Sequence, residues 1–193
     1  SVYRIGFGAA FGGDFVSTGL LQRFGWDMVL AGGALALWRF GKGEARDTAA
    51  PALLVAALAH LTTYSLLLHN PLWAEQSVGP CPLVNFIAPL FAALPLGLYA
   101  LSKLRADAAE AIGRILQPII MAMVALAAWA TLRHAFHGTM LVGGGLAEGE
   151  SIARSLLGLA LAVGFLLWGI RTQSREWRIA SLGLMLLSVG KVF

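Results

Sequence analysis

Long apolar runs, separated by short polar connections, extend over most of the chain. A membrane-spanning helix needs about 20 mostly apolar residues, and several of these runs approach that length. The pattern predicts an all-α fold, a polytopic transmembrane helix bundle of about six to seven spans in one domain over residues 1–193. The predicted spans are Val2 to Leu20, Trp26 to Phe40, Thr48 to Leu68, Leu83 to Leu101, Ile115 to Phe136, Ser151 to Ile170, and Ile179 to Phe193.

Local signals suggest where several of these helices begin, end or bend. Thr48 and Ser151 are predicted N-terminal caps, because a hydroxyl can accept a hydrogen bond from a free backbone N–H of the first turn. The pair Asn70-Pro71 marks a turn and predicts the end of the third helix. Pro89 and Pro95 fall inside the fourth helix, where kinks are expected.

The basic residues are unevenly distributed among the loops between these spans. Loops 41–47, 103–114 and 171–178 hold most of the lysines and arginines, whereas 69–82 and 138–150 hold none. Rich and empty loops therefore alternate, as a consistent set of spans requires. Cytoplasmic loops of membrane proteins are enriched in basic residues, so the three rich loops are predicted to be cytoplasmic.

Composition supports a membrane protein and argues against several other classes. Hydrophobic residues make up 58% of the chain and charged residues 12%, whereas soluble domains carry about 25% charged residues. This excludes a soluble enzyme or a disordered chain. The net charge of +4 is explained by the basic loops, so no nucleic-acid partner is expected. The expected partners are the lipid bilayer and other membrane helices. Cys81 is the only cysteine, which excludes an internal disulfide and a cysteine zinc cluster.

Charged and polar residues inside apolar spans are costly, so they are the candidates for function. Arg133, His134 and His137 lie near the end of the fifth predicted helix, where their three- and four-residue spacings allow a shared surface. They could form a proton relay, an anion contact, or a metal or haem ligand pair. The simpler interpretation is a polar collar at the membrane interface with snorkelling side chains.

Other polar residues occur on the third and fourth helices. His60, Thr63 and Tyr64 form a polar stripe, and Asn85 near the start of the fourth helix could line a cavity. A histidine bonded to a hydroxyl or carbonyl within the bundle is the simple explanation of the stripe. A haem or pigment contact at His60 is the alternative, and no other cofactor is predicted.

Two acidic residues, Glu148 and Glu150, precede the predicted start of the sixth helix. They suit its positive N-terminal end, and Glu150 can pair with Arg154 four residues later. If these carboxylates face Arg133 and the neighbouring histidines, they would instead create a small polar site at the outer surface.

Lys191 is predicted to lie deep in the membrane. It follows Arg178 by 13 residues, which corresponds to about 20 Å of helix. It should therefore face protein or snorkel outward, and Asp14 is a possible partner.

The order and spacing of several short motifs resemble a known family. From about Pro51 to Phe193 the chain is similar to the C-terminal part of the bacterial membrane proteins called domain of unknown function 2339 (DUF2339). The resemblance implies a multi-span protein of the bacterial inner membrane and a longer parent chain, but no particular reaction. The motifs that carry it are His69-Asn70-Pro71-Leu72-Trp73, Pro82-Leu83-Val84-Asn85, Leu132-Arg133-His134-Ala135-Phe136-His137-Gly138, Leu167-Trp168-Gly169-Ile170-Arg171, Ser174-Arg175-Glu176-Trp177-Arg178 and Val189-Gly190-Lys191-Val192-Phe193.

Three functions are compatible with the sequence. The first is a non-enzymatic structural or accessory component of a larger membrane protein or complex, since no catalytic motif is present. The second is a transporter, which requires the polar residues to converge on one cavity near mid-membrane. The third is an enzyme acting on a lipid or envelope glycan at the outer face. It would use His134, His137 and Glu148 or Glu150 as acid–base groups.

Overall fold

The computed structural model describes residues 19–79, 85–143 and 148–190, which form helices joined by turns and loops, with no strand among them. We number the helices α1 to α6. A short 3₁₀ turn covers Ala106–Ala108. The helices are α1 (Leu20–Phe40), α2 (Ala45–Leu68), α3 (Ile87–Leu104), α4 (Ala109–His137), α5 (Glu148–Arg171) and α6 (Arg175–Gly190).

The six helices pack as three hairpins, α1 with α2, α3 with α4 and α5 with α6. The turns within the hairpins are short and lie at one end of the bundle, which we call the basic end. They correspond to the loops 41–47, 103–114 and 171–178, so the structure brings the three basic segments to the same end. The opposite end holds the described parts of the two longer connections, residues 69–79, 85–86 and 138–143, and we call it the capped end.

The described parts of the two longer connections bond to each other. The Val78 N–H donates to the Thr139 carbonyl at 3.0 Å, and Ser77 forms an isolated antiparallel bridge with Met140. The Phe86 N–H then donates to the Val78 carbonyl at 2.9 Å. The largest buried apolar cluster includes residues of these loops and of the helices beneath them: Leu20, Leu61, Leu66, Leu72, Val78, Ile87, Leu90, Phe91, Ala130 and Leu141. The main core therefore lies at the capped end.

Asn70 explains why α2 ends where the sequence predicts. Its buried side chain donates to the Leu66 carbonyl at 3.1 Å and accepts from the Leu72 N–H at 3.0 Å. These bonds satisfy one carbonyl of the last helical turn and fix the start of the next loop. The predicted end of the third span is confirmed, with Leu68 as its last helical residue.

The two predicted caps are wrong. The helix of Thr48 begins earlier because Gly43, at φ +54°, turns the chain so that its carbonyl accepts from the Arg46 and Asp47 N–H groups, both at 3.0 Å. Thr48 therefore lies inside the helix and does not cap it. Ser151 lies inside α5, which begins at Glu148, and acidic residues are favourable at that positive helix end.

Other helices also begin at residues different from those predicted. α1 begins at Leu20 rather than Trp26, and α4 begins at Ala109 rather than Ile115. The extra turn of α4 is compatible with charge because Glu110 and Arg114 pair across four residues at 3.4 Å. α3 begins only at Ile87, which puts Pro89 in its first turn, where a missing N–H leaves no bond unmade.

Four of the described helices are long and apolar enough to cross a membrane: Ala45–Leu68, Ile87–Leu104, Ala106–His137 and Gly149–Arg171. This supports the all-α membrane fold but not the six to seven spans expected. α1 carries Arg23 and Asp27 within its apolar sequence, and α6 has 16 described residues. Residues 2–18 of the first expected span lie outside the described part.

The close approach of α5 and α6 makes a prediction at Gly169. A Cβ there would lie 2.9 Å from Trp177 Cβ and 3.0 Å from the Arg178 backbone nitrogen. Gly169→Ala should therefore lower the free energy of unfolding by about 1–3 kcal/mol. Gly164→Ala on the same helix meets nothing within 4 Å and should be neutral or stabilising. Thermal unfolding in detergent compares the two variants, and equal midpoints would contradict the packing.

Candidate functional site

A buried carboxylate, Glu150, joins α5 to α4 near the capped end. Its side chain is fully buried, and His137 Nε2–H donates to Oε2 at 2.8 Å. Arg154 Nη2 lies 3.3 Å from Oε1, and Arg133 Nη1 lies 3.6 Å from the same oxygen. We call these four residues the Glu150 cluster. Its three basic groups offset the high cost of holding a carboxylate away from water.

Arg133 connects this cluster to the loop that follows α4. Its Nε donates to the Leu141 carbonyl at 2.7 Å, and its Nη2 donates to the Gly143 carbonyl at 3.2 Å. Leu141 belongs to the main core. One guanidinium thus faces a buried carboxylate on one side and backbone carbonyls on the other, so it fixes the loop relative to α5.

His134 points away from the cluster, although three residues separate it from His137. It is buried, and its Nε2–H donates to the Gly79 carbonyl at 2.8 Å. This bond ties α4 to the connection between α2 and α3. The two histidines therefore contact different partners, which argues against the metal or haem ligand pair considered from the sequence. Among the described residues, no group of three or more His, Cys, Asp or Glu could hold a metal ion.

A second polar group lies between α1 and α2, also toward the capped end. Asp27 is buried, and its Oδ1 lies 2.7 Å from His60 Nδ1. The Tyr64 ring is 5.1 Å from the His60 ring, and Arg23 is buried one helical turn before Asp27. We call Arg23, Asp27, His60 and Tyr64 the Asp27 cluster. Thr63, placed with His60 by the sequence, is exposed.

Arg23 is absent from the sequence predictions because the second span was started at Trp26, and Asp27, the second residue of that span, was not singled out. The pattern does contain a signal for them. They are four residues apart in a mostly apolar helix, which is the spacing that puts two side chains on one helix face.

The charge of Arg23 also reaches the end of α2. Burial lowers the pKa of His69, and the positive charge of Arg23 lowers it further. Both effects favour the neutral imidazole.

The remaining candidates do not join either cluster. Asn85 Oδ1 accepts from the Ile87 N–H at 2.9 Å, so it holds the start of α3. The side chain of Glu148 lies outside the described part of the chain, as do Lys191 and Asp14. The Lys191–Asp14 pair therefore stays a prediction.

Neither of two large grooves along the described helices contains both clusters. A groove of about 500 Å³ between α3 and α4 is apolar and contains neither cluster. A second groove, between α4, α5 and α6, includes Arg154 but no residue of the Asp27 cluster. The arrangement can orient helices and loops, whereas the convergence required of a transport site is not seen between these clusters.

Comparison with known proteins identifies a family that matches this chain. A family model described as a predicted membrane protein (DUF2339) matches residues 3–193. This match extends the resemblance noted from Pro51 onward to nearly the whole chain. No curated protein and no solved structure gives a significant match.

The geometry makes a prediction at Glu150. Glu150→Gln leaves Arg133 and Arg154 without their common carboxylate, and breaking such a buried pair typically costs about 3–5 kcal/mol of unfolding free energy. Glu110→Gln is the matched control, because Glu110 forms an exposed pair with Arg114. It should not change the unfolding midpoint measured in detergent. Equal losses in both variants would contradict the role assigned to Glu150.

Proposed function

Since the chain belongs to the DUF2339 family of predicted membrane proteins, we propose that it is a non-enzymatic structural component of a larger membrane protein or complex. Its helices would pack against further membrane helices, either of other subunits or of a longer parent chain. Its candidate polar residues would hold the helices and the loops of the capped end together.

The observation that carries this proposal is that the candidate polar side chains bond to other groups of the same chain. Glu150 is fully buried against three basic groups of the same chain. His134 bonds to a backbone carbonyl and Asn85 to a backbone N–H. Groups committed to such internal bonds are poorly placed to handle a substrate.

The apolar surface supports the second half of the proposal. In the most apolar stretch of each candidate span, between 11% and 39% of the residues are buried inside the chain. The lowest fraction is that of the span ending at His137, and α5 exposes Leu156 and Leu167 at 62% each. These faces require lipid or other helices around them.

The two alternatives receive less support. Transport would need Asp27, His60 and the Glu150 cluster to converge on one cavity, whereas they occupy different helix interfaces. An acid–base enzyme at the outer face would need an accessible carboxylate. Glu150 is enclosed and His137 already donates to it.

Photo-crosslinking tests the packing. With benzoylphenylalanine at Leu156 or Leu167, in membranes of cells that naturally make the chain, we expect a protein adduct of one defined mass. Reciprocal labelling from that protein should recover this chain. Trp73, half exposed on the capped-end loop rather than on a span, is the control and should give none. Lipid adducts alone at both span positions would contradict the proposal.

A variant separates this structural role from proton transfer. His137→Gln removes the imidazole ring, but the side-chain amide of the glutamine can still donate to Glu150. The yield of the protein adduct should therefore be unchanged.

We also propose that the membrane is the bacterial inner membrane, with the basic end in the cytoplasm. Support comes from the three basic turns lying at one end, since cytoplasmic loops are rich in lysine and arginine. The opposite end would then face outward.

Cysteine labelling tests this orientation. After Cys81→Ser, Asp107→Cys should react with a membrane-impermeant maleimide only once the cells are permeabilised, whereas Ser77→Cys should react in intact cells. Both positions are exposed, so the difference reports sidedness. The opposite pattern would reverse the orientation.

A further inference from the structure

A groove runs between α4, α5 and α6, with a single cationic side chain in its wall. Its volume is about 510 Å³. Trp129 contributes from α4, Arg154 and Leu161 from α5, and Leu184 and Leu187 from α6. The surface is almost entirely apolar, and the groove is open toward the outside of the bundle.

Arg154 marks the end of the groove that lies nearest the cap. Helical side chains tilt toward the helix N-terminus, and the contact of Arg154 with Glu150 has this direction. Its guanidinium carbon lies 5.5 Å from the centre of the Trp129 ring. Tryptophan is enriched at the headgroup level of membranes. The groove then continues for about 10 Å along α5, from Arg154 to Leu161.

The charge at this position is not balanced among the side chains that the structure describes. Arg133 and Arg154 face one carboxylate, that of Glu150, so these three groups carry a formal charge of +1. The Arg154 side chain is 23% exposed. A basic side chain at the membrane surface attracts anionic lipid headgroups.

We propose that this groove binds an anionic phospholipid, with its phosphate headgroup beside Arg154 and one acyl chain along the apolar floor. One such molecule supplies both the negative charge and the apolar length that the groove requires. A second copy of this chain fits less well. The two acidic side chains that the structure describes in its helices toward the capped end, those of Asp27 and Glu150, already contact basic groups.

The lipid preference of the purified chain tests the proposal. The chain is equilibrated in detergent with equal amounts of dioleoylphosphatidylglycerol and dioleoylphosphatidylcholine, and retained lipid is counted by native mass spectrometry. We expect phosphatidylglycerol to be retained in about fivefold excess, as one basic residue near a membrane surface provides. Arg154→Gln should remove the excess, whereas Arg171→Gln, at the basic end of α5, should keep it.

A matched pair of variants tests the groove without disturbing the Glu150 cluster. Leu186 and Leu187 are each 74% exposed, but only Leu187 lines the groove. Leu187→Trp should fill the groove and reduce retained phosphatidylglycerol to the level of phosphatidylcholine. Leu186→Trp should leave it unchanged. This comparison decides the question even if Arg154→Gln fails to fold.

Three results would overturn the proposal. Equal retention of the two lipids by the unmodified chain would remove the charge preference. Equal behaviour of Leu186→Trp and Leu187→Trp would place the lipid elsewhere. A dimer that Leu187→Trp abolishes, without any lipid preference, would assign the groove to a second copy of the chain.

Discussion

The cost of holding a carboxylate away from water governs the arrangement of this bundle. Glu150 is fully buried, so its charge is tolerable only beside basic groups. Those groups come from α5 itself and from the end of α4, which positions two hairpins against each other. Arg133 also fixes the loop after α4, because its guanidinium donates to backbone carbonyls of that loop. One charge requirement thus determines a helix interface and the path of a loop.

The same physics acts within the first hairpin, where Asp27 contacts His60. Both polar clusters lie toward the capped end, together with the largest apolar core. The basic end is organised differently, by short turns and by smaller contacts such as the edge-on packing of Trp177 against Phe165. Specific polar contacts and deep burial are thus concentrated at one end of the bundle. The rest of the spans present apolar side chains outward, which is the surface expected of a component surrounded by lipid and other helices.

Much of the fold follows from the sequence, and the failures have identifiable causes. Hydrophobic run length predicts most of the helices, and Asn70-Pro71 correctly marks a helix end because its side-chain bonds are local. The Glu150–Arg154 contact also follows from local spacing, and it is present at 3.3 Å. By contrast, the different partners of His134 and His137 depend on where two distant loops pass, which spacing on one helix cannot specify. Arg23 was missed because the second span was taken to start at Trp26, whereas α1 begins at Leu20 and includes both Arg23 and Asp27. The two cap predictions failed because both helices begin earlier, one after the turn at Gly43 and the other at Glu148. Thr48 and Ser151 therefore lie inside their helices.

The pairing of helices into hairpins has a consequence for biosynthesis. Asp27 contacts His60 within the hairpin of α1 and α2, so this charge has its partner as soon as both of these helices have entered the membrane. Arg133 belongs to the second hairpin, but its carboxylate partner arrives with the third. Newly made α4 must therefore keep a cationic end in contact with water or lipid phosphate until α5 is synthesised. The order of translation accordingly completes the junction between the second and third hairpins only after α5 has been made.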